Sequence, residues 1–305
     1  MVNGMSSLCP WGYIPSRPTS PPAQWLRRTA LTFPVLLIFL TGCGPGLDSK
    51  DPAERKAAID RPKFADQTLL AKMACGDPSE EVRKAAVKKL SDQALLAKVA
   101  IEAKDQYVHE IAVEKLTDQT ALAKVTVEGQ NLVVRLCAVT KLSDPVLLAK
   151  VAVEDRDWAV RKTAVTKLSD QRLLAKIAIE DENWDIRQAA VGKLADQATL
   201  VKVACEDKDF EVRKAAVTKI SDQTMLAKVA VEAKDSDICV TAANLILDEP
   251  MLAKVALEAR YRFARSVAVS TLTDQTLLAK IAADDRDPDV RVDAKARIKA
   301  LAGKE

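Results

Sequence analysis

The stretch DQRLLAKIAIEDENWDIRQAAVGKLA, Asp170 to Ala195, is one copy of a 26-residue unit that recurs nine times without a gap. The copies begin at Asp66, Asp92, Asp118, Asp144, Asp170, Asp196, Asp222, Asp248 and Asp274. A fixed period of this length identifies a stacked repeat array, which overrides the two-domain expectation that 305 residues would otherwise carry. Counting each copy from its Asp as position one, Leu recurs at position five, Lys at seven and Ala at twenty-one in all nine copies. Apolar residues at positions four, five, eight and nine follow helical spacing, not alternation. The first half of the unit therefore reads as a helix of about ten residues, capped by the opening Asp, whose carboxylate accepts from the free N–H groups of the first turn.

Positions six and ten are also apolar, so burial of this helix is expected on most sides. Positions three, seven and eleven are left to water. They carry lysines from Lys72 to Lys280 and mostly Glu, such as Glu154 and Glu180. A break follows, typically Asp-x-Asp as in Asp155, Arg156 and Asp157, where short polar side chains end one helix and cap the next. The second helix presents positions seventeen, twenty-one and twenty-five on one face, as in Val160, Ala164 and Leu168. Alanine at the centre of that face in every copy implies two helices approaching closely. A lone unit has too little apolar surface to offset its chain entropy, and stacking supplies the missing burial. The predicted fold is all-α, an α-α superhelical solenoid of nine two-helix repeats over 66–305. Residues 51–65 form an N-terminal capping half-repeat, since DPAERKAAI (Asp51 to Ile59) echoes DPSEEVRKAAV (Asp77 to Val87) with two residues missing. Asp293, Lys295, Arg297 and Lys299 give the last copy a polar outer cap.

Within the unit, Asp and Arg stand six residues apart in Asp-x-x-x-x-Val-Arg-x-x-Ala. The pairs are Asp77 and Arg83, Asp155 and Arg161, Asp181 and Arg187, Asp207 and Arg213, Asp285 and Arg291. This pattern resembles HEAT repeats, and the resemblance implies a hydrogen-bonded ladder of these residues between neighbouring units. It is also similar to the leucine-rich-repeat variant family, whose short units carry Val-Arg-x-Ala. The Asp-to-Arg spacing favours the HEAT-like reading, although the unit is shorter than usual for HEAT. Ala103, Gly129, Ala233 and Ala259 replace the Asp, and His109 and Cys239 replace the Arg, so breaks in the ladder are expected there. Both resemblances imply an interaction scaffold.

A different signal stands near the N-terminus. Arg27 and Arg28 precede an apolar run from Ala30 to Leu40, then Leu40-Thr41-Gly42-Cys43. The order is that of a secretory signal: a positive region, a short apolar region and small residues before a cleavage point. A run of eleven residues is too short to span a bilayer, which needs roughly 20. Leu-Thr-Gly-Cys resembles the lipobox of bacterial lipoproteins. That resemblance implies cleavage after residue 42, lipidation of Cys43 and anchoring in the cell envelope, with Gly44 favouring the outer membrane. Residues 1–42 are thus expected as signal peptide, with translation starting near Leu26 and residues 1–25 a mis-called start, and 43–50 as a flexible tether. Contact with membrane is expected through the lipid alone.

Arg17, Arg27 and Arg28 lie before residue 43, where there is no acidic residue. Removing them from 46 basic residues leaves 43, matching the 43 acidic ones. An evenly interleaved neutral chain lacks the basic excess that phosphate neutralisation requires, so nucleic acid is not an expected partner. Of the six cysteines, Cys9 and Cys43 belong to the signal, while Cys75 and Cys205 share position ten, five units apart. At roughly 8–10 Å per unit they stand too far apart for a disulfide or a shared metal, and they read as small buried hydrophobes. The leucine-rich-repeat variant resemblance would allow an iron–sulfur cluster, but neither Cys137 nor Cys239 forms the clustered set it requires. His109 is the single histidine, in an arginine slot, and no phosphate-binding glycine loop occurs. No metal, no cofactor and no catalytic residues are expected, and the chain does not read as an enzyme.

Trp158, Trp184 and Phe210 occupy position fifteen in three successive units, with Leu132 before them and Tyr107 one position later in an earlier unit. They read either as a contact surface for a protein or peptide partner, of unknown identity, or as a shield over the inter-helix turns. Three functions stay open: a lipid-anchored envelope scaffold that binds a partner, an envelope spacer without a specific ligand and, more remotely, an enzyme built on a HEAT-like scaffold.

Overall fold

The structure is a computed structural model that describes residues 46–303. Cys43, with the signal and lipidation expected around it, lies outside the described residues. Among the described residues every regular element is an α-helix, nineteen in all, packing in sequence-adjacent pairs. A half-repeat, α1 (Pro52–Asp60), is followed by nine pairs. The first helices of the pairs are α2 (Gln67–Gly76), α4 (Gln93–Glu102), α6 (Gln119–Glu128), α8 (Pro145–Glu154), α10 (Gln171–Glu180), α12 (Gln197–Glu206), α14 (Gln223–Glu232), α16 (Glu249–Glu258) and α18 (Gln275–Asp284). Their partners are α3 (Glu80–Lys89), α5 (Gln106–Lys115), α7 (Leu132–Lys141), α9 (Trp158–Lys167), α11 (Trp184–Lys193), α13 (Phe210–Lys219), α15 (Ser236–Asn244), α17 (Arg262–Thr271) and α19 (Pro288–Ala302). This is the expected all-α solenoid of helix pairs.

The 26-residue period is enforced at the caps. The opening Asp of every unit is the N-cap of a first helix and accepts a backbone N–H two or three residues ahead. Short polar residues do the same for most second helices, as Asp105, Asn131, Asp157 and Asp209 show. Alanine at position twenty-one is fully buried in all nine repeats, from Ala86 to Ala294. Leucine at position five is equally shut from solvent, from Leu70 to Leu278. One continuous core results, each repeat completing its neighbour's.

The ends differ from the middle. Helix α1 packs on α3 as a second helix would, and Arg55 pairs with Asp77 as other ladder arginines pair with the next repeat. Residues 46–50, part of the stretch expected to be a tether, lie against this cap: Leu47 is buried and the Ser49 carbonyl accepts from Arg55. At the far end α19 is longer than the others, with Lys295 and Lys299 exposed. No helix among the described residues is long and apolar enough to cross a membrane.

Burial of the first helices departs from expectation at positions six and ten: Ala123, Ala149, Ala175 and Ala253 are only half-buried and Ala279 is exposed. Position ten is not uniformly inside: Val127, Val153, Ile179 and Leu257 are exposed, and Cys75 and Cys205 are half-buried. Its side chain points along the seam between successive first helices, so its burial depends on how closely those helices approach.

Candidate functional site

Three ladders run along the array. The first is built on arginine at position eighteen. Arg187 donates from Nε and Nη2 to the two carboxylate oxygens of Asp207 in the next repeat, at 2.7 and 2.8 Å. Its Nη1 donates to the carbonyl of its own Asp181 at 2.9 Å. The side-chain partner is therefore not the aspartate six residues earlier, which offers its backbone, but the aspartate twenty residues later. Arg161 repeats the arrangement with the Asp155 carbonyl and the Asp181 carboxylate. Each of these carboxylates also accepts an N–H two residues on, as Asp155, Asp181, Asp207 and Asp285 do from residues 157, 183, 209 and 287. Arg291, in the last described repeat, donates to the Asp285 carbonyl.

Pairing Asp with Arg inside one unit overlooks Arg135 and Arg265, whose own units carry Gly129 and Ala259. Arg265 nevertheless forms a bidentate pair with Asp285, and Arg135 stands 3.5 Å from Asp155. Where the next repeat lacks the aspartate, the arginine reaches two residues further: Arg83 to Asp105 and Arg213 to Asp235, each at 2.7 Å. The arginine-free repeats are handled differently. His109 donates from Nδ1 to the Ala100 carbonyl at 2.7 Å, and the Cys239 thiol donates to the Ala233 carbonyl at 3.3 Å. Each of these two repeats is followed by one lacking the aspartate, so no carboxylate is stranded. Arg156 then donates to the Gly129 carbonyl, and Arg286 to that of Ala259.

Two further ladders carry no motif that a search for chemistry would single out. Lysine at position twenty-four reaches back to the carbonyl end of the preceding second helix, as Lys193 does to Thr166 at 2.6 Å. Glutamine at position two accepts from the backbone at the start of the next repeat, as Gln197 does from Ser221 and Asp222. Pro145 holds that slot in the fourth repeat and has no amide to offer. The signal for both ladders lay in the recurrence of Gln and Lys itself.

The electrostatics follow from these contacts. Burial pushes the carboxyls of Asp77, Asp235 and Asp285 up, but hydrogen bonds from Arg55, Arg213 and Arg265 and from nearby N–H groups outweigh it. All three end below the usual carboxylate range. Asp105 is lowered as well, chiefly by its hydrogen bond from Arg83. The thiols move the other way. Burial, reinforced by neighbouring carboxylates, raises Cys205 to about 11, and burial with Cys205 and Asp235 nearby raises Cys239 to about 12. Such thiols are almost entirely protonated at neutral pH and are poor nucleophiles. Among the described residues no group of His, Cys, Asp and Glu is arranged to hold a metal ion.

The aromatic row falls at the first turn of the second helices. Trp158 and Trp184 begin α9 and α11 and are 46% and 43% exposed. Leu132 and Val133, at the start of α7, extend the exposed apolar surface on one side. Phe210 begins α13 but is half-buried against the core, with Arg213 and Lys214 over its ring. Tyr107 is half-buried beneath Lys84 and Lys88 and is not continuous with the tryptophans along position fifteen. Lys162 links the two tryptophan repeats, lying over the Trp158 ring and pairing with Asp185 at 2.8 Å.

No family model matches the chain, and no curated protein matches it. Among solved structures it is similar to the X-ray structure of YibA from Escherichia coli, with 16% identity over 83% of this chain and 90% of that one. The TM-score of 0.30 is too low for that likeness to add to what the helix pairs show.

Proposed function

We propose that this protein is a non-enzymatic, lipid-anchored scaffold of the bacterial cell envelope that binds a protein or peptide partner along its third to fifth repeats. The observation that carries the reading is the exposure of Trp158 and Trp184 on successive helix starts, beside Leu132 and Val133. A large aromatic costs apolar hydration when left in water, and rows of them are typical anchors of binding surfaces. The first turn of each second helix has no structural need for them, since Glu80, Ser236 and Pro288 fill the same slot elsewhere. Anchoring rests on the Leu-Thr-Gly-Cys sequence at 40–43. Two or more acyl chains on Cys43 make a stable anchor where one would be marginal.

Photo-crosslinkers placed at residues 158 and 184 in intact cells test the binding role. One reproducible adduct, lost when the other tryptophan becomes alanine while circular dichroism is unchanged, is the expected result. Loss of helicity on Trp158→Ala with Trp184→Ala would mark the row as a shield over the turns. Recovery of lipid alone would favour an envelope spacer. Separately, Cys43→Ser moves the protein from the membrane fraction to the soluble one if the anchor is real.

A further inference from the structure

The junctions between successive repeats come in two kinds. First helices lie close at junctions 1/2, 2/3, 6/7 and 7/8, where α2 packs on α4, α4 on α6, α12 on α14 and α14 on α16. They stand apart at junctions 3/4, 4/5, 5/6 and 8/9, where α8 and α10 barely touch. In the second-helix layer the packing is tightest at α11/α13 and α17/α19 and looser at α3/α5, α5/α7 and α13/α15, while α15/α17, at closed junction 7/8, packs as closely as α9/α11. The two kinds of junction are therefore told apart by the first-helix layer. Burial agrees: at the separated junctions Val127, Val153, Ile179 and Leu257 are 57%, 53%, 41% and 52% exposed, whereas their counterparts Cys75, Ile101, Cys205 and Val231 are half-buried. Clefts of 390 Å3 and 240 Å3 open at junctions 4/5 and 8/9, with Arg161 and Asp181 or Arg265 and Asp285 in their walls.

We infer that the residue at position twelve of the following repeat sets this gap: an aspartate props the first helices apart, and an alanine or glycine lets them close. The four separated junctions carry Asp155, Asp181, Asp207 and Asp285, and the four closed ones carry Ala103, Gly129, Ala233 and Ala259. The arginine does not decide, because Arg83 and Arg213 stand at closed junctions as firmly as His109 and Cys239 do. Nor do positions six or ten, where alanine and valine occur in both kinds. The physical reason is the space a guanidinium and a carboxylate need side by side, whether bidentate as at Arg187 and Asp207 or 3.5 Å apart as at Arg135 and Asp155. Between Arg187 and Asp207 two parallel hydrogen bonds fill the seam near the end of the first helix. With alanine there, Arg213 reaches Asp235 through one nitrogen and its Nε is buried without a partner, as is that of Arg135 beside Asp155 at open junction 3/4, while the position-ten side chain at the closed seam is half-buried. One guanidinium hydrogen bond is exchanged for apolar burial, two quantities of similar size.

The order of position-twelve residues repeats after five units: Asp77, Ala103, Gly129 and Asp155 are matched 130 residues on by Asp207, Ala233, Ala259 and Asp285. Cys75 and Cys205, His109 and Cys239, Arg156 and Arg286 keep the same offset. The alternation is therefore a longer written pattern, and its run of three open junctions spans repeats three to six. The inference stands without the proposed binding role.

Swapping the residue at adjacent junctions is the test, in the full chain, read by peptide-resolved thiol labelling at native pH. Asp207→Ala supplies at junction 5/6 what junction 6/7 has, including Asp209 where Arg187 can turn. It is expected to slow labelling of an Ile179→Cys probe by on the order of tenfold. Conversely, Ala233→Asp is expected to raise labelling of Cys205 while Cys75, at the untouched junction 1/2, stays constant. An unchanged rate at residue 179 with helicity intact would overturn the inference, as would a rise at Cys75 in parallel with Cys205. Should Ala233→Asp fail to fold, the Asp207→Ala result decides alone.

Discussion

Junctions 5/6 and 6/7 are neighbours, share α12 and α13 and carry an arginine in the same slot, yet they are held differently. At the first, Arg187 and Asp207 are sealed, with side chains 2% and 5% exposed; at the second, Arg213 and Asp235 are 16% and 28% exposed. Arg187 uses two nitrogens on one carboxylate, while Arg213 uses one. In the ladder slot itself they differ by Asp207 against Ala233. A repeat protein can thus keep its period, caps and core constant and still vary the relation between successive copies.

The comparison is most exposed to removal of the arginines. Arg187→Ala leaves Asp207 buried without its guanidinium and should cost about 3–5 kcal/mol, the usual range for breaking a sealed ion pair. Arg213→Ala leaves Asp235 nearer solvent and still capping α15, so the loss should be nearer 1 kcal/mol. Urea unfolding of both variants measures the difference, and equal losses would remove the energetic distinction between the junctions. Next in size is Ala216→Leu in α13, where position twenty-one is closed on all sides. Overpacking there should cost about 1–3 kcal/mol and should disturb both junctions alike. A change confined to one would show that the second-helix layer is not shared equally.

The smallest effect is with pH. Asp77, Asp105, Asp235 and Asp285 titrate below their ordinary value of 3.8 in the folded chain. An acid with a depressed folded pKa contributes stability that is complete above the unfolded value and disappears as pH falls through the folded one. The urea midpoint should therefore hold steady from about pH 7 to 5 and decline below about pH 4. Replacing Asp235 with Asn should flatten part of that decline, and an unchanged acid slope would show that this carboxylate contributes nothing to it.

Several features of the molecule were legible because they are local or strictly periodic. The N-cap role of Asp66 through Asp274 needs only one turn of helix, and the burial of Ala86 through Ala294 follows from a helical face repeated nine times. The ladder was legible as a set of residues but not as a set of pairs. A ladder between neighbouring units is expected from these residues, and Arg161 does reach Asp181 of the next unit, but that Asp155 of its own unit offers it a carbonyl is not readable from the spacing. Sequence distance within one copy says nothing about which copy a long side chain reaches. Position ten is not uniformly buried for a related reason: Val127 and Val231 are the same residue type in the same register, and the distance to the next first helix separates an exposed side chain from a half-buried one. Trp158 and Trp184 were recognisable as a row, while the withdrawal of Phe210 beneath Arg213 and of Tyr107 beneath lysines was not.

What the sequence determined by itself was the unit: two ten-residue helices, their caps and the apolar faces that oblige copies to stack. These are set by backbone hydrogen bonding and side-chain period, which act over a few residues. What only the tertiary structure decided was how one copy meets the next. That depends on whether a charged pair or a methyl group occupies the seam near Asp207 and Ala233, and on how the layers on either side tilt to accommodate it. Such a balance is struck between groups in different repeats, so it becomes visible only when the repeats are in place.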